Sequence, residues 1–130
     1  YSGAPSGTYE AFLGRGGKVI VDDEGFVREP AGRLRGSSKP ILYGLWNLVE
    51  NIGLDIDQAL RLCSLNACEK YGFADRKGSL KVGKDADFVV ISDDYLALET
   101  FVGGEKVFDR ATEGGKIFNQ RMLESLESRP

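Results

Sequence analysis

The spacing of apolar residues changes three times along this chain, and each change calls for a different backbone. Lys18-Val-Ile-Val-Asp22 and Phe26-Val-Arg-Glu29 are short β-rich runs split by Asp23-Glu24-Gly25, which predicts a hairpin. Gly16-Gly17 precedes the first run, and Pro30 ends the second. From Ser38 or Lys39 the period lengthens. Ile41, Leu45, Leu48, Val49 and Ile52 recur at helical intervals, with Leu42 and Trp46 widening the stripe. Pro40 suits the first turn of that helix, Ser37 or Ser38 its cap, and Gly53 its end. A second helix is predicted from an Asp55 cap through Ala59, Leu60 and Leu62 to about Cys63, and Ser64-Leu-Asn-Ala67 opens a short third that Gly72 stops. The pattern then turns back to strands. Asp87-Phe-Val-Val-Ile-Ser92 is an apolar run of strand length, Ala97 to Val102 is another, and Gly103-Gly104 turns into Lys106-Val-Phe108. Three such strands suit a small antiparallel sheet. Ile117, Phe118, Met122, Leu123 and Leu126 predict a last amphipathic helix over 113–128. The fold class that follows is α+β.

Composition excludes several kinds of protein. A length of 130 residues falls in the range of one domain, able to bury roughly two thirds of its unfolded surface. Hydrophobic residues at 42% and charged residues at 28% fit neither a disordered nor a membrane-bound chain. No apolar run approaches the ~20 residues that span a bilayer, and Tyr-Ser-Gly-Ala-Pro-Ser-Gly at the start is no signal peptide. A cytoplasmic location is expected. The net charge of -3 gives no general attraction for nucleic acid, so neither nucleic acid nor membrane is an expected partner. The first residue is Tyr rather than Met, and Gly3, Pro5 and Gly7 make the opening loop-like, as expected of a trimmed precursor or, the reading we favour, an excised piece.

The chemistry is sparse, because the chain contains no histidine. A Ser-His-Asp or Cys-His mechanism is therefore excluded. Cys63 and Cys68 would point about 140° apart on one helix, which disfavours a disulfide, and without His a structural zinc site is poorer still. Both read as small buried hydrophobes. Asp22, Asp23 and Glu24 read as a solvated turn, and Asp85 with Asp87, or Asp93 with Asp94, as structural carboxylates at strand edges or turns. Neither a phosphate-loop lysine motif nor a Gly-x-Gly-x-x-Gly fingerprint follows a strand. No catalytic residue and no metal ligand is expected here. One stretch has binding chemistry. In Arg33-Leu-Arg-Gly-Ser-Ser-Lys39, the N–H groups of Gly36, Ser37 and Ser38 precede a helix N-terminus, and Arg33, Arg35 and Lys39 add positive charge suited to an anion.

Several segments together resemble a known family. They are Gly-Arg-Leu-Arg-Gly-Ser-Ser at 32–38, Trp46-Asn-Leu-Val-Glu50, Ala59-Leu-Arg-Leu-Cys-Ser-Leu-Asn-Ala67, Gly78-Ser-Leu-Lys-Val-Gly-Lys-Asp-Ala-Asp-Phe-Val-Val90 and Thr100-Phe-Val-Gly-Gly104. In this order they resemble the C-terminal third of the N-acetylglucosamine-6-phosphate deacetylases, within the amidohydrolase superfamily, over about residues 1–108. The Gly78 to Val90 run identifies only the superfamily, and the Arg33 to Ser38 run narrows it. Asn66-Ala-Cys68 departs from the family's usual Asn-Pro-Ala, and residues 110–130 extend past its usual end.

The resemblance implies an α+β piece: the last helices of a (β/α)8 barrel over 37–72, and strands of a small β-sandwich over 17–29 and 84–108. It implies substrate contact through Leu34, Arg35 and Gly36. It also implies a divalent metal, zinc or similar, in the full-length enzyme and not in this fragment. The catalytic Asp, general base and then acid, would fall just before residue 1, and the Glu and His metal ligands earlier still. The partners so implied are an amino-sugar phosphate substrate, the N-terminal barrel portion, and a second copy in a homodimer. Alone, the chain is expected to be inactive. The competing reading is a non-catalytic interaction or structural module, or a fragment of another amidohydrolase. Without barrel strands, the helices would expose their Leu and Trp stripe, a patch that favours oligomers or a partner.

Overall fold

The computed structural model describes residues 4–11 and 17–113, so the helix expected over 113–128 lies, beyond Glu113, outside the described residues. The chain divides between Pro40 and Ile41 into two compact units, although its length alone would suit one domain.

The first unit is a four-stranded antiparallel meander of β1 (Gly7–Glu10), β2 (Lys18–Val21), β3 (Phe26–Arg28) and β4 (Leu34–Ser37), in that order. Strand alternation builds its core. Along β2, Val19 and Val21 turn inward while Lys18 and Ile20 face out. Val21 pairs directly with Val27 of β3, and these valines are buried, with Ala4, Tyr9 and Ala11 packed against them. The expected hairpin forms because Asp22 organises it. Asp22 Oδ1 accepts the N–H groups of Glu24 at 3.1 Å and Phe26 at 2.8 Å, while Gly25 takes a φ of +83°. Strands β1 and β4 were not anticipated, since Gly7–Glu10 and Leu34–Ser37 read as loop or helix approach. Neither has an apolar alternation, and each is held by its ladder with the neighbouring strand, β1 by β2 and β4 by β3.

The second unit opens with α1 (Ile41–Trp46), which continues as a π-helical turn (Asn47–Asn51). Helix does not begin at Ser38 or Lys39, because the residue before a proline is pushed out of the α region. Within the π turn, Ile52 N–H reaches back to Asn47 O at 3.1 Å, and Gly53 N–H meets Val49 O at 3.1 Å. Leu45 and Trp46 are buried, so the expected exposure of the Leu and Trp stripe is met only in part. Exposed instead are Ile41, Ile52, Ile56, Leu60 and Leu62.

Helix α2 (Ile56–Cys63) starts at Asp55, whose Oδ1 accepts Asp57 N–H at 2.9 Å. Helix α3 (Leu65–Tyr71) ends at left-handed Gly72, with Phe73 N–H on Cys68 O at 2.8 Å, the bond of a Schellman cap. Strands β5 (Phe88–Ile91), β6 (Ala97–Val102) and β7 (Glu105–Asp109) then form a three-stranded antiparallel sheet, followed by the short α4 (Arg110–Glu113). Phe88 and Phe101 sit opposite each other and stack with centroids 4.4 Å apart. No helix among the described residues is long and apolar enough to cross a membrane.

Candidate functional site

The segment singled out for binding, Leu34, Arg35 and Gly36, lies on β4, the last strand of the meander. All three are exposed. Gly36 stands opposite Val27, and the ladder shifts register between Val27 and Arg28. Arg35 Nη1 meets Glu29 Oε1 at 2.7 Å, which offsets part of its charge and leaves other guanidinium N–H groups to aim elsewhere. Of the N–H groups of Gly36, Ser37 and Ser38 expected to suit an anion, that of Ser38 is used within the fold. Ser38 N–H donates to Gly25 O at 2.8 Å, and Lys39 N–H donates to Ser37 Oγ at 3.0 Å. Strand pairing accounts for the difference, since a chain joining a ladder must use its donors there. Nearby, burial pushes the Asp22 carboxyl up, but the N–H of Phe26 and the guanidinium of Arg28 outweigh it and hold the group below its usual range.

The Gly78 to Val90 run turns out to be a joint between α3 and β5. Lys84 Nζ donates to the carbonyl oxygens of Ala74 and Lys77 and to Ser79 Oγ, so one ammonium organises a whole loop. Asp85 takes Arg76 Nη2 at 2.9 Å and Lys77 Nζ at 3.0 Å, and Asp87 takes Lys77 Nζ and Gly103 N–H. Lys77 and then Arg76 hold the Asp85 carboxyl below its ordinary range. Lys77 does the same for Asp87, and the two carboxylates hold the Lys77 ammonium above its own. These pairs are structural. The sequence signal for them was the density of charge within the motif, without the partners.

The fit of these residues to a divalent metal is poor. The chain has no histidine, and among the described residues no three His, Cys, Asp or Glu side chains gather. The paired carboxylates that remain, Asp85 and Asp87, are already held by cations. Cys63 and Cys68 are free thiols, half-buried rather than buried, and burial pushes the Cys63 thiol up, away from the thiolate that would ligate.

Depressions are lined by described residues of the second unit. One of about 390 Å³ is lined by Val90, Leu98, Glu99, Asp109, Arg110 and Ala111. Lys106 already pairs with Glu99 and Asp109, at 2.6 and 2.9 Å. Another, of about 300 Å³, is bordered by Leu54, Gln58, Arg61, Leu62 and Asn66. Neither assembles a nucleophile with a base.

Comparison with known proteins covers most of this ground. Residues 32–112 match the Amidohydrolase family. The chain is 36% identical over 112 residues to the N-acetylglucosamine-6-phosphate deacetylase of Vibrio furnissii, covering 85% of this chain and 27% of that protein. It is 34% identical over 101 residues to the enzyme of the same name from Rattus norvegicus, covering 76% and 24%. The crystal structure of N-acetylglucosamine-6-phosphate deacetylase from Pasteurella multocida matches with a TM-score of 0.67 at 30% identity, over 75% of this chain and 26% of that one. The chain spans about a quarter of the length of the curated relatives it matches.

Proposed function

This chain belongs to the amidohydrolase family, and from that premise we propose that it is the C-terminal part of a metal-dependent enzyme that deacetylates N-acetylglucosamine 6-phosphate. In the whole reaction, water adds to the N-acetyl carbonyl carbon, the amide C–N bond breaks, and the nitrogen gains a proton. Acetate and glucosamine 6-phosphate are the products. The part this chain takes is recognition, with Leu34, Arg35 and Gly36 touching the sugar phosphate. The observation that carries the reading is the exposed β4 segment, which lies inside the family-matched residues 32–112 and carries a guanidinium suited to a phosphate. Helices over 37–72 would complete a barrel and strands over 17–29 and 84–108 a β-sandwich, in a cytoplasmic homodimer. Because the residues here do not fit a divalent metal, zinc or similar, the chain supplies no ligand to it and is inactive alone.

Purified chain mixed with zinc and N-acetylglucosamine 6-phosphate should release no acetate, and turnover above background overturns that reading. Joined in one polypeptide to the part of the Vibrio furnissii relative outside the match, it should release acetate. Arg35→Ala in that joined chain should raise KM about tenfold with a smaller change in kcat. A joined chain that folds without turnover refutes the deacetylase assignment. The exposed apolar side chains of the helices favour a second reading, a non-catalytic interaction module. Sedimentation of the isolated chain as a compact monomer would support an independent module, and association would support an incomplete one.

A further inference from the structure

Two uncommon backbone conformations occur in the second unit, and one hydrogen bond joins them. The first is the π turn at Asn47–Asn51, where Ile52 N–H reaches Asn47 O at 3.1 Å, five residues back instead of four. The second is Tyr95, the one non-glycine with a positive φ among the described residues, at +60°. Its N–H donates to Ser92 O at 3.0 Å and Ser92 N–H donates to Leu96 O at 2.9 Å, so it closes the β5–β6 turn at a position that suits glycine. Across 45 residues, Tyr95 Oη donates to Glu50 Oε1 inside the π turn at 2.8 Å.

Neither conformation has a local cause. Asn47–Asn51 holds no proline or glycine to break the helical ladder. The contact of Asn51 Nδ2 with Asn47 Oδ1 at 2.9 Å joins residues four apart, a spacing that an ordinary α-helix already provides. Tyrosine has no preference for the left-handed region, yet here its ring is buried. The register of the turn decides where Glu50 points, because an α-helix advances about 100° per residue and the wider π turn less. We infer that Glu50 and Tyr95 are a positioning pair whose hydrogen bond selects the π register of Asn47–Asn51 over the α register that the sequence otherwise favours. With that bond open, the turn relaxes and Ile52 N–H takes Leu48 O. In the closed state Leu48 O accepts Leu54 N–H at 3.0 Å beside left-handed Gly53, the bond that turns the chain towards α2. A contact made by the sheet thus sets how the chain leaves one helix for the next.

Hydrogen-bond partners can be read directly by NMR, from the scalar coupling between an amide nitrogen and the carbonyl carbon across the bond, in the isotope-labelled 130-residue chain. In the native chain Ile52 N should couple to the Asn47 carbonyl carbon. Tyr95→Phe and Glu50→Ala should each move that coupling to Leu48 and lose the one between Leu54 N and Leu48. Glu50→Gln keeps an accepting oxygen and should keep Asn47 as the partner. The coupling of Ser92 N to the Leu96 carbonyl carbon should persist in all of them, which shows that the β5–β6 turn remains folded. Glu50 is exposed, so its two variants carry the comparison in a folded chain if Tyr95→Phe does not fold. A native chain without the Asn47 coupling overturns the inference, as does an Asn47 coupling that survives Glu50→Ala or a folded Tyr95→Phe. Loss of the Asn47 coupling with no Leu48 coupling in its place also overturns it, because the bond then holds the helix together without choosing its register. So does a Glu50→Gln chain that behaves like Glu50→Ala, since the accepting oxygen is then not what selects the turn.

Discussion

Replacing Gly78 by alanine asks whether the Gly78 to Val90 run holds the second unit together. Gly78 has a φ of +85°, and a Cβ there would lie 2.9 Å from Cys68 Sγ, 3.0 Å from Cys68 Cβ and 3.0 Å from Leu65 Cα. The thiol could rotate away, but the Leu65 backbone belongs to α3 and moves only with the helix. Placing alanine in the left-handed region costs about 1–2 kcal/mol. Overpacking against a fixed backbone adds about 1–3 kcal/mol. The sum, about 2–5 kcal/mol, is a large part of the ~5–15 kcal/mol by which a typical domain is stable. Gly83→Ala is the control, since Gly83 has a φ of +90° with nothing within 4 Å of the added Cβ, and so carries only the conformational cost. Trp46, the one tryptophan, is buried in the same unit and reports its unfolding by fluorescence. With a urea dependence of about 2 kcal/mol per molar, Gly78→Ala should lower the midpoint by about 1–2.5 M and Gly83→Ala by about 0.5–1 M. Cys68→Ala added to Gly78→Ala should recover only part of the loss, because the contact with Leu65 remains. Equal midpoints for the two glycine variants, or full recovery by Cys68→Ala, would refute the argument that the helix backbone is pressed against this loop.

Three further outcomes can be read with the same titration. Asp85 and Asp87 are held below the usual carboxylate range, so their contribution is complete above their unfolded values near ~4 and is lost as pH falls through the lower folded values. Lys77 is held above its usual value, so its contribution is complete below the unfolded value near ~10.4 and fades only as pH rises past the folded one. The midpoint should therefore fall on the acid side in the native chain, and Asp85→Asn with Asp87→Asn should flatten that limb; an unaltered acid limb contradicts the ion-pair assignment. Lys84→Met keeps the aliphatic stem but removes the donor shared by Ala74 O, Lys77 O and Ser79 Oγ, and should cost about 1–3 kcal/mol, whereas an unmoved midpoint would show that water replaces the ammonium. Tyr95→Phe deletes the hydroxyl that donates to Glu50 Oε1 at 2.8 Å and should cost about 1.5–3 kcal/mol, with no loss expected if that bond is idle.

Elements whose own side chains carry the pattern were legible. Strand β2 alternates buried and exposed residues, α2 follows its Asp55 cap, α3 stops at Gly72, and Gly103-Gly104 joins β6 to β7. Elements defined by their partners were not. Strand β4 has four exposed residues and no alternation, so its identity rests on pairing with β3, and β1 rests in the same way on β2. The π turn after α1 is equally silent in sequence, because Asn47–Asn51 continues a helical stripe and differs only in which carbonyl each N–H selects. Tyr95 adopts a φ of +60° at the β5–β6 turn, a conformation no local preference of tyrosine announces, and it is held there by burial and by Glu50, which lies 45 residues earlier.

The same distinction explains why the clearest family signal in the sequence offers no free reactive group. The charges of the Gly78 to Val90 run pair with residues that precede it, Arg76 with Asp85 and Lys77 with Asp85 and Asp87, and its backbone closes on both sides. Asp85 N–H meets Arg76 O at 2.9 Å, and Gly104 N–H meets Ala86 O at 2.9 Å. Nearly every titratable group in the run is thereby committed to fastening the end of the helices to the start of the sheet, which leaves no free carboxylate there to bind a metal or move a proton. Arg35 is different, because its single pairing with Glu29 engages one edge of a planar cation that has several N–H groups. A run that reads as the mark of an amidohydrolase can thus be a fastening, while the segment proposed for binding is an exposed edge strand whose sequence looks like a loop.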